Sequence, residues 1–392
     1  FSERDPYVTP DGKYLFFAST RGGMEWTTAN YANLNRNDYD IMVSKRINGK
    51  WTTPVNLGKN VNSKNDDAQP FVTPDGQTVY YLSFNENYLE SQGPIYKSEL
   101  YGSFWAENQG IGDDITRNFK IQSDFNNGIW SNGSTLSPNG DRLFYSYSIL
   151  LDTMNIYYSQ KINGKWSSTK KSPVSTDYFD GTPFLASDNQ TLFFSSNAYE
   201  GFGETDIYAT VLNDNGSLGE VINLGNQFNT AGYDDNFVIT ADGIEAYFVR
   251  DGDIYVAFID SPINEIRPKP TVLVSGKIVY GESREPKSGL IYAKDKKNNI
   301  IAQSRSNDAT GEYLLVLPSF GDYTIIYNIF EKDTILQTIQ LDEPRTITKN
   351  LDFWVNKPIE KPIEIKKEEP KKFIPPTINA NLIFNSNSYM IN

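Results

Sequence analysis

The chain contains no cysteine and no histidine in 392 residues. Without thiols it can form no disulfide bond and offers no cysteine nucleophile, and it lacks the cysteine and histidine ligands of a typical zinc site. The lack of histidine also excludes a Ser-His-Asp triad within the chain. We therefore expect no catalytic residues, no cofactor and no bound metal, and hence a protein that is not an enzyme.

Positive charge is also scarce, with 36 Lys and Arg against 49 Asp and Glu and a net charge of −13. Such a surface repels phosphate backbones, so we expect no nucleic-acid partner. No apolar run approaches the ~18 residues of a membrane-spanning helix, so we expect no membrane-spanning segment. Aromatic residues, in contrast, make up 14% of the chain. They favour pleated, half-buried strands, and this composition predicts an all-β fold.

One eleven-residue pattern occurs five times: an apolar strand, a turn of the Pro-Asp-Gly type and an aromatic strand. The first copy is YVTPDGKYLFF at residues 7–17. The turn residues of the five copies are Asp11, Asp75, Asn139, Asp188 and Asp242. Their spacings of 64, 64, 49 and 54 residues are filled by strands and turns. A period of this size predicts stacked β-sheet units, for which a propeller is the best-known arrangement.

Each copy continues with a third strand and a hairpin. In the first copy these are residues 40–45 and the turn Asn48-Gly49, followed by a fourth strand at residues 54–58. Asn-Gly is a preferred two-residue hairpin turn because both positions need a positive φ. The fifth copy stops after its third strand, residues 253–258. We therefore predict a propeller of five or six four-stranded blades within residues 1–262.

The pattern changes after Pro262, Pro268 and Pro270. Residues 271–355 show short alternating strands separated by glycine and proline turns, which predict a small β-sandwich. Residues 356–379 combine proline with Lys and Glu and are typical of an extended linker. Residues 380–392 begin a new apolar pattern, which we interpret as the truncated start of a third domain.

These segments resemble known families. The strand-turn-strand repeat resembles the TolB-type β-propeller, and ATGEYLLVLP at residues 309–318 resembles the carboxypeptidase-regulatory-like sandwich. LIFNSN at residues 382–387 resembles the opening strand of an OmpA-like peptidoglycan-binding domain, with Asn385 in place of the usual Asp. The order of the segments resembles OmpA-family envelope proteins of Bacteroidetes, including the PorE-type component of the type IX secretion system.

This resemblance implies a periplasmic protein that is associated with the outer membrane and anchored as a lipoprotein. It implies a non-enzymatic scaffold whose propeller contacts envelope or secretion-system proteins. Peptidoglycan would be bound through a domain beyond residue 392. The alternative function is a glycan or ligand receptor, in which aromatic side chains on the propeller faces stack on the ligand.

Acidic residues recur eight positions before the turn residue in four of the five copies. They are Glu3, Asp67, Asp180 and Asp234, and Ser131 takes this position in the third copy. Asp66 and Asp235 add neighbouring acids. Because this position precedes the first strand of each blade, the six acids could line the channel mouth and bind a basic protein partner. Alternatively, each carboxylate bonds nearby backbone amides and holds the loop between two blades.

Two long loops are further candidates for partner contacts. Residues 20–37 are rich in Asn and include Trp26 and Tyr31, and residues 85–93 have a similar character. Long loops on a rigid scaffold are common contact surfaces. The alternative is plain variation in loop length.

Overall fold

The computed structural model describes residues 2–21, 38–83, 93–111, 131–148, 153–162, 164–213, 217–259 and 267–355. Every regular element in these ranges is a β-strand. The predicted all-β class is therefore confirmed. Nowhere in these ranges does a helix meet the length and apolarity that crossing a membrane requires.

Five antiparallel sheets, which we call blades 1 to 5, come first. Blade 1 contains β1 (Glu3–Val8), β2 (Tyr14–Ser19), β3 (Asp40–Ile47), β4 (Lys50–Trp51) and β5 (Val55–Asn56). Blade 2 contains β6 (Asp67–Val72), β7 (Thr78–Ser83), β8 (Ile95–Tyr101), β9 (Phe104–Trp105) and β10 (Gln109–Gly110). Blade 3 contains β11 (Ser131–Leu136), β12 (Arg142–Ser148), β13 (Met154–Ile162), β14 (Lys165–Trp166) and β15 (Lys170–Lys171).

The last two blades are smaller. Blade 4 contains β16 (Asp180–Leu185), β17 (Thr191–Ser196), β18 (Asp206–Val211) and β19 (Ile222–Asn223). Blade 5 contains β20 (Asp234–Ile239), β21 (Glu245–Arg250) and β22 (Asp253–Phe258). Among the described residues no fourth strand covers β22, and Phe258 on it is 64% exposed.

The first strand of each blade faces the centre of a ring. β1 packs against β6, β6 against β11, β11 against β16, β16 against β20, and β20 against β1. The backbone N–H of Glu3 donates to the carbonyl of Gly252 at 3.2 Å, which joins blade 1 to blade 5. The five described blades therefore close on themselves around a central channel.

The repeated turn has a local explanation in its side chains. In blade 1 the Thr9 hydroxyl donates to Asp11 at 2.8 Å, and the N–H of Gly12 donates to the Thr9 carbonyl at 2.8 Å. Gly12 adopts a φ of 66°, which glycine accepts without steric cost. Thr240 and Asp242 repeat the hydroxyl contact in blade 5 at 2.7 Å. Each Thr-x-Asp-Gly sequence therefore encodes the same tight turn, and all these turns lie at the same ends of the strands.

The aromatic residues of the second strands fill the space between blades. Phe16, Tyr81, Tyr145 and Phe194 are each no more than 1% exposed. Burial of side chains this large removes much apolar surface from water, at about 25 cal/mol per Å². This packing explains why the aromatic positions recur with the blade period.

A β-sandwich follows the propeller. Its first sheet contains β23 (Thr271–Tyr280), β24 (Glu285–Pro286), β27 (Glu312–Pro318), β30 (Ile347–Asn350) and β31 (Phe353–Val355). Its second sheet contains β25 (Leu290–Lys294), β26 (Ile300–Arg305), β28 (Phe320–Ile329) and β29 (Lys332–Asp342). Leu315, Ile325 and Tyr327 are fully buried between the sheets. The linker and the OmpA-like start, at 356–392, lie outside the described residues and stay predictions.

The sandwich packs on the face of the propeller that carries the repeated turns, which we call the turn face. Asp75 Oδ2 accepts hydrogen bonds from Ser304 Oγ at 2.7 Å and from the N–H of Arg305 at 2.9 Å. Asp188 Oδ2 accepts from the N–H of Lys269 at 2.8 Å. An apolar cluster joins Ala241 of blade 5 to three sandwich residues: Leu273, Leu314 and Val316. Propeller and sandwich therefore belong to one compact unit, with the turn face covered.

Candidate functional site: the open mouth of the channel

The inner strand of every blade contains a β-bulge at the same place. The bulged residues all adopt the left-handed conformation, with φ between 46° and 92°. They are Asp5, Gln69, Gly133, Thr182 and Asn236. This conformation is uncommon for side-chain-bearing residues and least favourable for a β-branched one such as Thr182. Bulges redirect side chains, so the strands turn these positions toward the channel.

A cavity of about 720 Å³ lies at the mouth opposite the sandwich. Its polar lining comes mainly from blades 1, 3 and 5 and consists of Ser2, Arg4, Asp5, Asn132, Ser148, Asp235, Asn236 and Asp251. A narrower neck follows, lined by residues that include Pro6, Gln69, Gly133, Ser134, Thr182 and Phe237. The mouth is therefore a polar, concave surface on a rigid ring.

Two carboxylates of the mouth stand on neighbouring strands of blades 1 and 5. Asp5 is 5% exposed, accepts the N–H of Gln69 at 3.1 Å and lies 3.3 Å from Arg4 Nε. Burial raises the pKa of Asp5 above its usual value. Burial, and then the charge of Asp5, raise the pKa of Asp235 to about 6. Carboxylates whose neutral forms are favoured in this way gain from a nearby cation.

Aromatic side chains contribute to the lining of the cavity. Tyr39, Phe179 and Tyr233 line it, and Tyr233 is 61% exposed. The Arg4 guanidinium lies over the Tyr39 ring at 4.1 Å from its centroid. A cavity lined by both aromatic rings and Asp and Asn side chains suits a ligand that combines an apolar stem with a polar or charged end.

Three of the six acids predicted at the mouth are fully buried at the first positions of β6, β16 and β20. They are Asp67, Asp180 and Asp234, each 0% exposed. Each accepts the backbone N–H of the Ser or Thr four residues earlier: Ser63 for Asp67, Thr176 for Asp180 at 2.6 Å, and Thr230 for Asp234 at 2.6 Å. These contacts correspond to the alternative interpretation of the recurrent acids, in which each carboxylate bonds backbone amides and holds the loop between two blades. Burial raises the pKa of Asp67 to about 7.

The other three predicted acids lie in different surroundings. Glu3 pairs with Arg21 at 2.5 Å, and the exposed Asp66 accepts the N–H of Tyr39 at 2.8 Å. Asp235 lines the cavity. The structure therefore does not gather the six acids into one ring, and their role in partner binding stays a prediction. The two predicted contact loops fall largely outside the described residues.

The residues that line the mouth lie one and two positions after the acidic position. At these positions Arg4, Asp5, Asn132, Asp235 and Asn236 line the cavity, and Gln69, Gly133 and Thr182 line the neck. The alignment of the five repeats on their turn residues, which identifies the acidic position, also contains these neighbouring positions. Alternation along a regular strand predicts the wrong face here, because the bulge adds one residue and changes the alternation.

The described residues contain no group of three or more Asp or Glu side chains arranged to hold a metal ion. The chemistry of the mouth therefore rests on single carboxylates, amides and hydroxyls.

No protein-family model matches the chain, and no curated protein matches it. Similar solved structures include TolB from Acinetobacter baumannii, at 16% identity and a TM-score of 0.36 over 73% of this chain and 61% of that one. A TolB from Agrobacterium tumefaciens is 17% identical, with a TM-score of 0.33 over 66% and 91% of the two chains. The periplasmic gluconolactonase of Pseudomonas aeruginosa is 13% identical, with a TM-score of 0.33 over 87% and 86%.

The similar structures thus include TolB proteins, the class that the sequence repeat resembles. The match spans about three fifths of the Acinetobacter TolB. At these identities and TM-scores the similarity carries no argument about activity, substrate or partner. Nothing in these comparisons supports the carboxypeptidase-regulatory-like, OmpA or type IX secretion resemblances, which stay predictions.

Proposed function

We propose that this protein is a non-enzymatic scaffold of the bacterial periplasm that binds protein partners at the open mouth of its propeller. The position of the sandwich is the observation that carries the proposal. It occupies the turn face through Asp75, Asp188 and Ala241. The cavity at the opposite mouth is left as a concave, polar surface on a closed ring, which is where rigid scaffolds commonly bind partners.

The absence of enzymatic activity is part of this proposal. The chain has no histidine or cysteine to activate a nucleophile. Three of its conspicuous acids, Asp67, Asp180 and Asp234, already accept loop hydrogen bonds. Purified protein should not turn over peptide or glycoside substrates. Turnover that a single substitution in the mouth abolishes would contradict the proposal.

The finer form of the proposal is that the scaffold links an outer-membrane or secretion-system complex to peptidoglycan. Its support is the resemblance of residues 380–392 to the opening of an OmpA-like domain, together with the linker composition before it. Co-sedimentation of the protein extracted from cells with purified peptidoglycan tests this link. Protein that stays in the supernatant would leave the scaffold without a cell-wall attachment.

Site-specific photo-crosslinking tests the partner surface. A crosslinking residue at Tyr233, which lines the mouth, should give a discrete protein adduct in intact cells. The matched control is Ile335 on the sandwich, which is 69% exposed against 61% for Tyr233. Equal adducts at both positions, or none at Tyr233, would contradict a partner surface at the mouth.

A glycan receptor is the second candidate, favoured by one observation. Tyr39, Phe179 and Tyr233 line the same cavity as Asn132 and Asn236. Aromatic faces with nearby amides suit stacking and hydrogen bonding to sugar rings. Binding of peptidoglycan-derived oligosaccharides that Tyr233→Ala abolishes, with no protein adduct at the mouth, would favour this candidate over the scaffold.

A further inference from the structure

We propose that the mouth receives one basic side chain of the protein partner, a lysine ammonium or an arginine guanidinium, and holds it at Asp5 and Asp235. This inference rests on the proposed scaffold function and names the chemical group by which the partner is anchored. Four features of the cavity carry it: an uneven distribution of charge, a carboxylate without a cation, buried hydroxyls without partners, and aromatic walls.

The charge of the mouth is concentrated where blades 1 and 5 meet. Asp5, Asp235 and Asp251 line the cavity together with one cation, Arg4. At the equivalent bulge positions, blades 2 to 4 carry small or neutral residues. These are Ala68, Gln69, Asn132, Gly133, Gly181 and Thr182. One side of the mouth is therefore acidic while the other leaves room for a ligand.

The single cation of the cavity is already engaged. Arg4 lies 3.3 Å from Asp5 and over the ring of Tyr39. Among the described residues no cation lies within salt-bridge distance of Asp235, whose carboxylate accepts from the Asn236 amide at 3.0 Å. Arg4 acts on Asp235 only from beyond that distance, so a positively charged group entering the cavity would supply a direct counter-charge. Partly buried pairs of this kind contribute strongly to recognition.

Two buried hydroxyls of the channel have no hydrogen-bond partner in the described part of the chain. Ser148 Oγ lines the mouth and belongs to a residue that is 4% exposed. Ser134 Oγ lines the neck and belongs to a residue that is 7% exposed. Buried polar atoms are normally satisfied, and a hydroxyl that lines the same channel as two carboxylates can accept a hydrogen bond from an N–H donor. An ammonium or guanidinium group supplies several such donors.

The walls favour an organic cation over a bare ion. The described residues offer no convergent set of three Asp or Glu side chains, which a divalent ion would need. Tyr39, Phe179 and Tyr233 instead line the same cavity as the carboxylates. Methylene stems of lysine and arginine pack on such surfaces while their charged ends extend further, and the rings add cation–π attraction.

Peptide binding to the full chain tests the anchor. The probe is acetyl-Ala-Lys-Ala-amide, with its arginine analogue and the same peptide bearing Nε-acetyl-lysine, measured by ligand-observed NMR titration. We expect the two cationic peptides to bind at least about tenfold more tightly than the acetylated one. Equal binding of the lysine and acetyl-lysine peptides would overturn the anchor.

The decisive variant is Asp235→Asn, because the described partner of Asp235 is only the neighbouring amide. It should weaken binding of the lysine peptide by about tenfold without lowering the melting temperature. Asp342→Asn, which removes an exposed carboxylate of the sandwich, is the charge-matched control and should bind normally. Asp5→Asn is the second variant, and its folding is checked because Asp5 also holds Gln69. Full binding by a folded Asp235→Asn protein would overturn the proposal.

The anchor and the scaffold can fail separately. A protein adduct at Tyr233 that persists in Asp235→Asn would overturn the anchor and leave the scaffold standing. Lysine-peptide binding that depends on Asp235, in a protein that gives no adduct in cells, would support the anchor and contradict the scaffold.

Discussion

Arg46 of blade 1 and Glu245 of blade 5 form two parallel hydrogen bonds, with Nη1–Oε1 at 2.9 Å and Nη2–Oε2 at 2.7 Å. The two residues are 199 positions apart in the chain and join the blades at which the ring closes. Arg46 also lies over the Trp51 ring at 4.5 Å, and its Nη2 donates to the Tyr247 hydroxyl at 3.1 Å. This contact therefore connects the first and last described blades.

We expect Arg46→Ala and Glu245→Ala each to lower the free energy of unfolding by about 1–3 kcal/mol, since each leaves a partly buried charge without its partner. A double-mutant cycle in urea should give a coupling energy of about 1–2 kcal/mol. The control pair is Lys277 and Glu312, 3.8 Å apart and each 58% exposed. Its coupling should be below about 0.5 kcal/mol. Equal coupling for the two pairs would contradict a role for Arg46 in ring closure.

The buried carboxylate of Asp67 predicts a pH dependence of stability. Burial raises its pKa from 3.8 to about 7, so the folded state binds the proton more tightly than the unfolded state does. The contribution of Asp67 to the free energy of unfolding is therefore most favourable below pH 4 and is lost as the pH rises from about 4 to 7. The loss should be on the order of 2–4 kcal/mol.

Asp67→Asn removes this titration while keeping an oxygen that can accept the N–H of Ser63. Its melting temperature should change less between pH 5 and pH 8 than that of the wild-type protein, and the variant should be the more stable at pH 8. A parallel pH dependence of the two proteins would show that Asp67 is not the group responsible.

The features of the fold that the sequence predicted are those with local causes. The hydroxyl of Thr9, the carboxylate of Asp11 and the positive φ of Gly12 act within four residues, so the turn is visible in the sequence and recurs with the same residue types in blades 2 and 5. The aromatic strands are visible because burial between blades demands large apolar side chains at a fixed place.

The features that the sequence did not predict depend on distant contacts or on bulges. The recurrent acids were predicted at the channel mouth because they precede the first strand of each blade. Asp67, Asp180 and Asp234 are instead buried and accept hydrogen bonds from the preceding loops, and bulge residues such as Asp5 and Asn236 line the mouth. The prolines near residue 268 suggested a simple domain break. The docking of the sandwich depends on pairs such as Asp75 and Ser304, which are 229 residues apart and show no sequence pattern.

Arg305 is expected to couple the sandwich to the propeller. Its Nη2 donates to the carbonyls of Leu100 at 2.6 Å and Gln77 at 3.3 Å, and its guanidinium lies over Tyr101 at 4.7 Å. Arg305→Ala should cost about 2–4 kcal/mol, because it removes the side-chain donor to the Leu100 carbonyl and the stacked cation.

Calorimetry should show one transition for the wild-type protein and two separated transitions, or one at lower temperature, for Arg305→Ala. Lys296→Ala is the control, since Lys296 is 79% exposed and pairs within the sandwich with Asp322. It should unfold like the wild-type protein. An unchanged thermogram for Arg305→Ala would mean that the remaining contacts hold the sandwich in place.

Gly133 is expected to be the least replaceable glycine of the channel. It adopts a φ of 92°, and a Cβ at this position would lie 2.5 Å from the Cα of Thr182 in the next blade. Gly133→Ala therefore combines backbone strain with a clash against backbone that cannot move freely, and should cost about 3 kcal/mol or more.

Gly49 separates the two effects, because its φ is 78° but a Cβ added there would meet no atom within 4 Å. Gly49→Ala should cost only about 1 kcal/mol. Urea denaturation of both variants measures the difference, and similar losses would show that blades 3 and 4 can separate enough at the bulge to accept the methyl group.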